Sequence, residues 1–246
     1  MHRLLVESAE LSQESPALSR DALHHLKVLR LKDGEAVELF DGRGRARGYH
    51  YDSASGCLRA DAGSTVRSFA NPAVPLTLFA CVTKGSRWDW TIEKATELGV
   101  TRIVPVISDR TIVRIPRAER AAKRERWQRI AEDAARQSDA VWLPEICEAA
   151  DFADTLPMVK ACTCYIGALT DPPPRPLLEA LPDAASRSTT GLGIYVGPEG
   201  DFTSAELQAL LAIATPVSFG PTVLRAETAA IFGVSVLAAY RASVNP

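Results

Sequence analysis

Two glycine-bearing stretches near the carboxyl end hold the residues whose types and spacing can do chemistry. The first is Gly197-Pro198-Glu199-Gly200 with Asp201 behind it. The second is Phe219-Gly220-Pro221 followed by Val223-Leu224-Arg225 and Glu227. Each offers bare backbone N–H and C=O groups beside a few charged side chains, a set that holds a small organic ligand through main-chain hydrogen bonds. The better-known catalytic sets are missing. Gly191-x-Gly193 precedes its strand instead of following it, so no dinucleotide fingerprint is formed, and no G-x-x-x-x-G-K-[ST] loop is present. There is no G-x-S-x-G elbow, and the four histidines (His2, His24, His25, His50) all fall in the first fifty residues. A Ser-His-Asp triad therefore cannot be assembled within the second half. No H-E-x-x-H motif and no histidine–cysteine cluster argues for a metal, so no metal site is expected. On these residues alone the reading stops at a ligand-binding α/β domain.

The elements that must position these loops are legible around them. Leu192 to Val196 is a short apolar run of the kind a buried strand shows. Thr203 with Glu206 three residues on is a capping box, so a helix starts there. A second strand is predicted at about Pro216 to Phe219, then an irregular stretch from Thr222 to Glu227, then an apolar final helix. Two strands thus each end in a glycine loop that feeds a helix, and parallel α/β sheets bind ligands outside such strand ends.

Upstream the same alternation continues. Leu76 to Thr83 reads as a strand, and Lys84-Gly85-Ser86-Arg87 as a loop into a helix that ends near Leu98 with Gly99 closing it. Arg102 to Ile107 is a strand, Arg117 to Gln137 a long amphipathic helix with Trp127, Ile130, Ala134 and Ala135 on its apolar side, and Ala161 to Leu169 a strand. The pattern predicts a mostly parallel sheet covered by helices. Trp88 and Trp90 lie two apart at a helix start and cannot share a face, so at least one is expected to pack inward.

The first seventy residues read as a separate small domain, with a linker at about Ser68 to Pro75. Strands are predicted at His2–Val6, Glu35–Phe40, Arg45–Tyr51 and Cys57–Asp61, with a helix capped by Ser19 and a turn at Asp41-Gly42-Arg43-Gly44. Short strands at this spacing suggest a small β-barrel. Arg43, Arg45 and Arg47 crowd its hairpin, either to grip phosphates or to keep an edge strand soluble. His24 and His25 are read as surface or packed histidines.

Composition sets outer bounds. The 246 residues carry a net charge of −2, unevenly spread: zero over residues 1–70, +6 over 84–129 and −8 over 130–246. A locally basic segment in a weakly acidic chain suits docking onto phosphate at one face. Five scattered cysteines without a C-x-x-C pair suit reduced thiols in the cytoplasm, and Cys162 and Cys164 share one face of their strand. No apolar run approaches the length of a membrane span, and the amino terminus shows no secretory signal.

Taken together, Lys84-Gly85, Lys94-Ala95-Thr96-Glu97-Leu98-Gly99-Val100, Ile103-Val104-Pro105, Gly197-Pro198-Glu199-Gly200, Gly220-Pro221 and Leu224-Arg225 with Glu227-Thr228-Ala229-Ala230 resemble the RsmE family. These are bacterial methyltransferases that methylate N3 of a uridine in 16S ribosomal RNA. The likeness reaches back to Arg3, His24-His25-Leu26, Val28-Leu29-Arg30 and Asp41-Gly42-x-Gly44, and so covers nearly the whole chain in order. It implies a PUA-like β-barrel over 1–70 and, over 74–246, a SPOUT-type trefoil-knotted parallel sheet with helices on both faces, working as a cytoplasmic homodimer. It also implies S-adenosylmethionine as cofactor, held by Leu169, Gly197, Pro198, Glu199, Gly200, Phe219, Gly220, Val223, Leu224 and Arg225. Of the carried-over residues, Glu227 is expected to take the N3 proton or orient the base, and Arg225 to stabilise charge on the uracil oxygens; an ion pair or a helix cap is the plainer role for both. Contacts to the RNA are expected from Arg3, Arg20, Lys27, Arg30, Arg43, Arg45, Arg47, Lys84 and Arg87. Other readings on the same scaffold are a SPOUT enzyme acting at another RNA position, and a non-catalytic RNA-binding or assembly protein.

The sequence departs from the family at identifiable places. Asp201 stands where the family commonly has glycine, Asp139-Ala140 where it shows Gly-Arg, and Thr222 and Ala226 where Arg and Thr are frequent.

Overall fold

The computed structural model describes residues 1–182 and 191–244. It divides into two compact units, Met1–Asn71 with Glu132–Leu143, and Pro72–Ala131 with Pro144–Pro246.

In the first unit, β1 (His2–Leu5) runs parallel to β2 (Ala36–Phe40). β3 (Arg45–Asp52) pairs antiparallel with β2, with β4 (Cys57–Ala60) and with β5 (Arg67–Ser68). α1 (Arg20–Leu29) joins β1 to β2 and begins where the Ser19 hydroxyl accepts the Ala22 N–H at 3.2 Å. The β2–β3 turn is held by Asp41, whose Oδ1 accepts the Arg43 and Arg45 amides at 2.8 and 3.0 Å. Leu4, Val37, Leu39, Tyr49 and Leu58 form the core with Leu26 of α1. The segment Glu132–Leu143 belongs to this unit because Ala135, Val141 and Leu143 pack with Phe40 and Ala46.

Two arginines are structural in this unit. Arg3 is 4% exposed; its Nε donates to Glu38 at 2.9 Å and one Nη to the Ala135 carbonyl at 2.9 Å. Arg47 is 7% exposed and donates to Glu14 at 2.6 Å, to Ser64 and to the Leu11 carbonyl. A third cation, Arg67, also pairs with Glu38.

The second unit is built on one parallel sheet. Its strands are β6 (Leu76–Cys81), β7 (Arg102–Ile107), β8 (Glu145–Ile146), β9 (Ala150–Asp151), β10 (Thr163–Gly167), β11 (Leu192–Val196) and β12 (Thr215–Val217). The order is β12-β10-β11-β6-β7-β8, with β9 pairing a further part of β7, and every pairing is parallel. Alternate side chains of β6 point to opposite faces, as the period of two requires. Leu76, Leu78 and Ala80 join α2 (Ser86–Glu97), α3 (Arg117–Gln137) and α7 (Ala226–Val244) through Trp88, Ile92, Trp127, Val234 and Leu237. Phe79 and Cys81 join α4 (Phe152–Lys160) and α6 (Ser204–Leu211) through Val159 and Leu210. A short helix, α5 (Leu177–Ala180), follows β10. Trp88 is buried and Trp90 exposed, in line with their spacing.

Local signals explain several boundaries. Gly99 takes φ +76° just past α2, and its amide reaches the Thr96 carbonyl at 2.9 Å. α6 carries the full capping box, with the Glu206 amide donating to Thr203 and Glu206 accepting the Thr203 amide at 2.9 Å. Thr203→Ala is expected to lower stability by about 1 kcal/mol, read from chemical denaturation. α7 lies close on β11 because Gly233 has no side chain; a Cβ there would stand 2.6 Å from Ile194.

Cys162 and Cys164 share one face of the strand, where a Cβ on Gly193 would meet both sulfurs. The neighbouring Cys162 thiol, together with burial, pushes the Cys164 thiol up, and burial raises Cys81 to about 11. Both are packing thiols. Among the described residues no group of three or more His, Cys, Asp or Glu is arranged to hold a metal, and no helix is long and apolar enough to cross a membrane.

Candidate active site

Because β10, β11 and β12 are neighbours and parallel, their carboxyl ends lie along one sheet edge, and the loops that follow them gather there. These loops enclose a cavity of about 330 Å³, within the roughly 300–1,000 Å³ of small-molecule sites. Gly167, Ala168 and Leu169 come from the end of β10; Val196, Gly197, Pro198, Glu199 and Asp201 from β11; Val217 to Gly220 and Thr222 to Arg225 from β12; and Ala226 and Ala229 from α7.

Backbone shape makes this cavity. Gly167 lies against the Phe219 ring, 2.5 Å from where a Cβ would stand, so a side chain there would displace one wall. Gly197 is packed in the same way against Phe202, at 2.8 Å. The β11 loop closes as a turn, the Asp201 amide donating to the Pro198 carbonyl at 2.9 Å. Arg110, from the loop after β7, clamps it by donating to the Gly200 and Phe202 carbonyls at 3.1 and 3.3 Å.

Asp201 adopts φ +59°, the left-handed region that glycine enters freely and aspartate tolerates. Its Oδ1 accepts the Phe202 amide at 2.7 Å. Asp201→Ala is expected to cost about 1 kcal/mol, since it keeps the Cβ and loses the hydrogen bond. Asp201→Gly is expected to cost less, and the two melting curves compare them.

Beside the cavity runs an open groove of about 560 Å³, lined by Ser86, Arg87, Asp89, Trp90 and Glu93 of α2 and by Glu227 and Thr228 of α7. The two spaces meet at an ion pair, Arg87 to Glu199 at 3.5 Å. The first turn of α7 stands between them. Ala226 and Ala229, three apart, wall the cavity, while Glu227 and Thr228 project to the groove side. Glu227 is 9% exposed, and its Oε2 has no hydrogen-bond partner among the described residues. A buried carboxylate oxygen left without a partner costs free energy, which a ligand donor would recover.

Of the residues expected to hold a cofactor, Leu169, Gly197, Pro198, Glu199, Phe219, Gly220, Val223, Leu224 and Arg225 come together around the one cavity. Gly200 does not line it; its carbonyl serves the Arg110 clamp. Arg225 and Glu227, expected to act together, open onto different spaces, because Arg225 precedes the first residue of α7 and belongs to the loop that lines the cavity, while Glu227 lies in the first turn of the helix on its groove side. Among the cations expected to meet RNA, Arg20, Lys27, Arg30, Arg43 and Lys84 are exposed and have no salt-bridge partner among the described residues. Arg45 is half-buried, and Arg87 is engaged with Glu199. Arg3 and Arg47 correct the expectation: both are buried and hydrogen-bonded inward, so their guanidinium groups brace the first unit and do not face solvent phosphate. Sequence reasoning missed Gly167, Ala168 and Arg110. Arg110 lies ninety residues from the loop that it clamps, and no local signal joins them.

Comparison with known proteins bears on this geometry. Residues 70–238 match the RNA methyltransferase domain, and residues 18–53 the RNA methyltransferase PUA domain. Ribosomal RNA small subunit methyltransferase E of Synechocystis sp. is 33% identical over 233 residues, covering 93% of this chain and 74% of the relative. Among solved structures, Lpg2936 from Legionella pneumophila, determined with bound SAM, is similar at TM-score 0.83 and 25% identity, covering 98% of each chain. Ribosomal RNA small subunit methyltransferase E from Neisseria gonorrhoeae, bound to S-adenosyl methionine, is similar at TM-score 0.77 and 28% identity, again covering 98% of each.

Proposed function

The chain belongs to the RNA methyltransferase family, alongside the ribosomal RNA small subunit methyltransferase E proteins, and from that premise we propose that it transfers the methyl group of S-adenosylmethionine to N3 of one uridine in 16S ribosomal RNA. The observation that carries this reading is the convergence of three strand-end loops on one cavity, with a buried, half-unpartnered carboxylate just outside it.

The cavity suits that cofactor. Leu169, Phe219, Val223 and Leu224 offer apolar surface for a heterocycle, and backbone groups of the strand-end loops offer hydrogen bonds. Glu199 and Asp201 add two carboxylates to the lining, a charge suited to a cationic ligand with an amino group. When bound, S-adenosylmethionine supplies an electrophilic methyl group whose C–S bond breaks as the N3–C bond forms, the electron pair leaving with sulfur. The protein's part is positioning and proton removal, because a neutral imide nitrogen is a poor nucleophile. Glu227 accepts the N3 proton. In this reading Arg225, which lines the cavity, and Arg87, which lines the groove, are the cations that balance negative charge on the uracil oxygens. Leu169, Gly197, Pro198, Glu199, Phe219, Gly220, Val223, Leu224 and Arg225 hold the cofactor in this reading, with Gly200 supporting them.

The first unit is read as a PUA-like barrel that, with Arg20, Lys27, Arg30, Arg43 and Arg45, docks the RNA; Lys84 and Arg87 serve from the second. The second unit is read as a SPOUT trefoil knot. That reading is supported by the strand order, with β12 outermost beside β10 and the chain then returning as α7 across β11 and β6. A homodimer is supported by the apolar patch where exposed Phe232 and half-buried Ile231 and Val236 of α7 meet exposed Trp90 of α2, and a cytoplasmic location goes with the ribosomal RNA substrate of this reading. Calorimetry is expected to give one S-adenosylmethionine site per chain, abolished by Gly167→Val. Mass mapping of ribosomal RNA from a deletion strain is expected to lose one methyl on one uridine, restored by the gene. No cofactor binding together with unchanged RNA would overturn the reading.

A further inference from the structure

Three charged side chains line the cavity, Glu199, Asp201 and Arg225, and the rest of its wall is uncharged. Glu199 already leans on Arg87 at 3.5 Å. Asp201 has no such partner. Its Oδ1 accepts the Phe202 amide at 2.7 Å; among the described residues nothing pairs with Oδ2, and no cation forms a salt bridge to the carboxylate. The backbone beneath it is pinned on both sides. The Asp201 amide donates to the Pro198 carbonyl at 2.9 Å, and Arg110 spends one Nη on the carbonyls of Gly200 and Phe202, at 3.1 and 3.3 Å. A fixed, half-buried anion is thus left for whatever enters the cavity, and a cleft with mostly apolar walls strengthens its field.

Resting on the S-adenosylmethionine reading above, we propose that Asp201 makes the cavity select the cationic methyl donor over the product with neutral sulfur, S-adenosylhomocysteine. The inventory of charges carries the inference. The donor bears two cations, its sulfonium and its ammonium, and one anion, its carboxylate. The lining offers the complement, two carboxylates and one guanidinium. When the methyl group leaves, the C–S electron pair stays on sulfur and the sulfonium becomes a thioether. The ligand loses one positive charge while its shape barely changes. One lining carboxylate is then unopposed. Glu199 keeps Arg87, so the unopposed one is Asp201. Apolar and main-chain contacts hold donor and product alike and cannot tell them apart, whereas a fixed charge can. A weaker hold on the product empties the cavity for the next donor.

The test is calorimetry on the full chain with three ligands: S-adenosylmethionine, S-adenosylhomocysteine, and sinefungin, in which a protonated amine stands in place of the sulfonium. The donor and sinefungin are expected to bind at least about fivefold more tightly than the product, the factor that a good exposed ion pair reaches. The preference should shrink as salt rises from about 50 mM to about 500 mM, because ions screen the pair. Asp201→Asn keeps the left-handed backbone and the acceptor for the Phe202 amide and removes only the charge. It should weaken the donor and sinefungin by that factor, leave the product where it was, and bring the three affinities together. The wild-type ratio needs no variant, so poor folding of Asp201→Asn would not shelter the idea. Equal affinities in the wild type, a tighter product, or a preference that survives Asp201→Asn would each overturn the role of Asp201 and leave the cofactor site standing. If none of the three ligands bound, the cofactor reading itself would fall, and this inference with it.

Discussion

Glu227→Gln is expected to lower kcat by about a hundredfold or more, the usual contribution of a positioned general base, with S-adenosylmethionine affinity unchanged. A hundredfold corresponds to about 2.7 kcal/mol of transition-state free energy. The separation of effects follows from the first turn of α7. Ala226 and Ala229 wall the cavity, while Glu227 lines the groove, so the amide alters the acceptor side alone. Glutamine keeps the size and polarity of the side chain and one acceptor oxygen, but it cannot take a proton at neutral pH. Single-turnover measurement at saturating cofactor separates the chemical step from binding. Turnover near the wild-type value would remove the proton-accepting role and leave Glu227 as an orienting group.

The second large effect concerns folding. Arg3→Met is expected to destabilise the first unit by about 3 kcal/mol, toward the lower end for a buried pair that loses one partner, because Arg67 still reaches Glu38. Arg3 also donates to the Ala135 and Ala140 carbonyls, so the methionine leaves two further acceptors unserved. Replacing Arg3 and Glu38 together by apolar residues should cost less than Arg3→Met alone. Arg43→Ala, at an exposed turn position, should leave the denaturation midpoint where it was. Equal midpoints for Arg3→Met and the wild type would return Arg3 to the set of surface cations.

What was legible in the sequence was local. The Thr203/Glu206 box, the Ser19 cap, the Gly99 stop and the Gly-Pro turns each specify backbone within a few residues, and each stands where its signal lies. Two residues of spacing were enough to part Trp88 from Trp90. The family departures also acquire a physical meaning: Asp201 and Asp139 both hold positive φ, at +59° and +57°, where glycine is the easier residue. Burial by distant partners was not legible. Arg3 and Arg47 read as surface cations because nothing near them in the chain announces Glu38 or Glu14. The parting of Arg225 from Glu227 was hidden for another reason: it depends on the residue at which α7 begins, and helix starts are the least certain part of a sequence reading.

The first unit is assembled from two stretches of chain, Met1–Asn71 and Glu132–Leu143, and this has a practical consequence. A fragment starting at Val74 would carry Ala135, Val141 and Leu143 with the surface that they normally cover cut away, while the severed amino-terminal piece would lack the carbonyls that Arg3 requires. Excision at the linker should therefore yield two sticky, incompletely folded halves. Mixing them should restore more structure than either has alone, so dissection of this protein calls for complementation of fragments or point substitution instead of truncation.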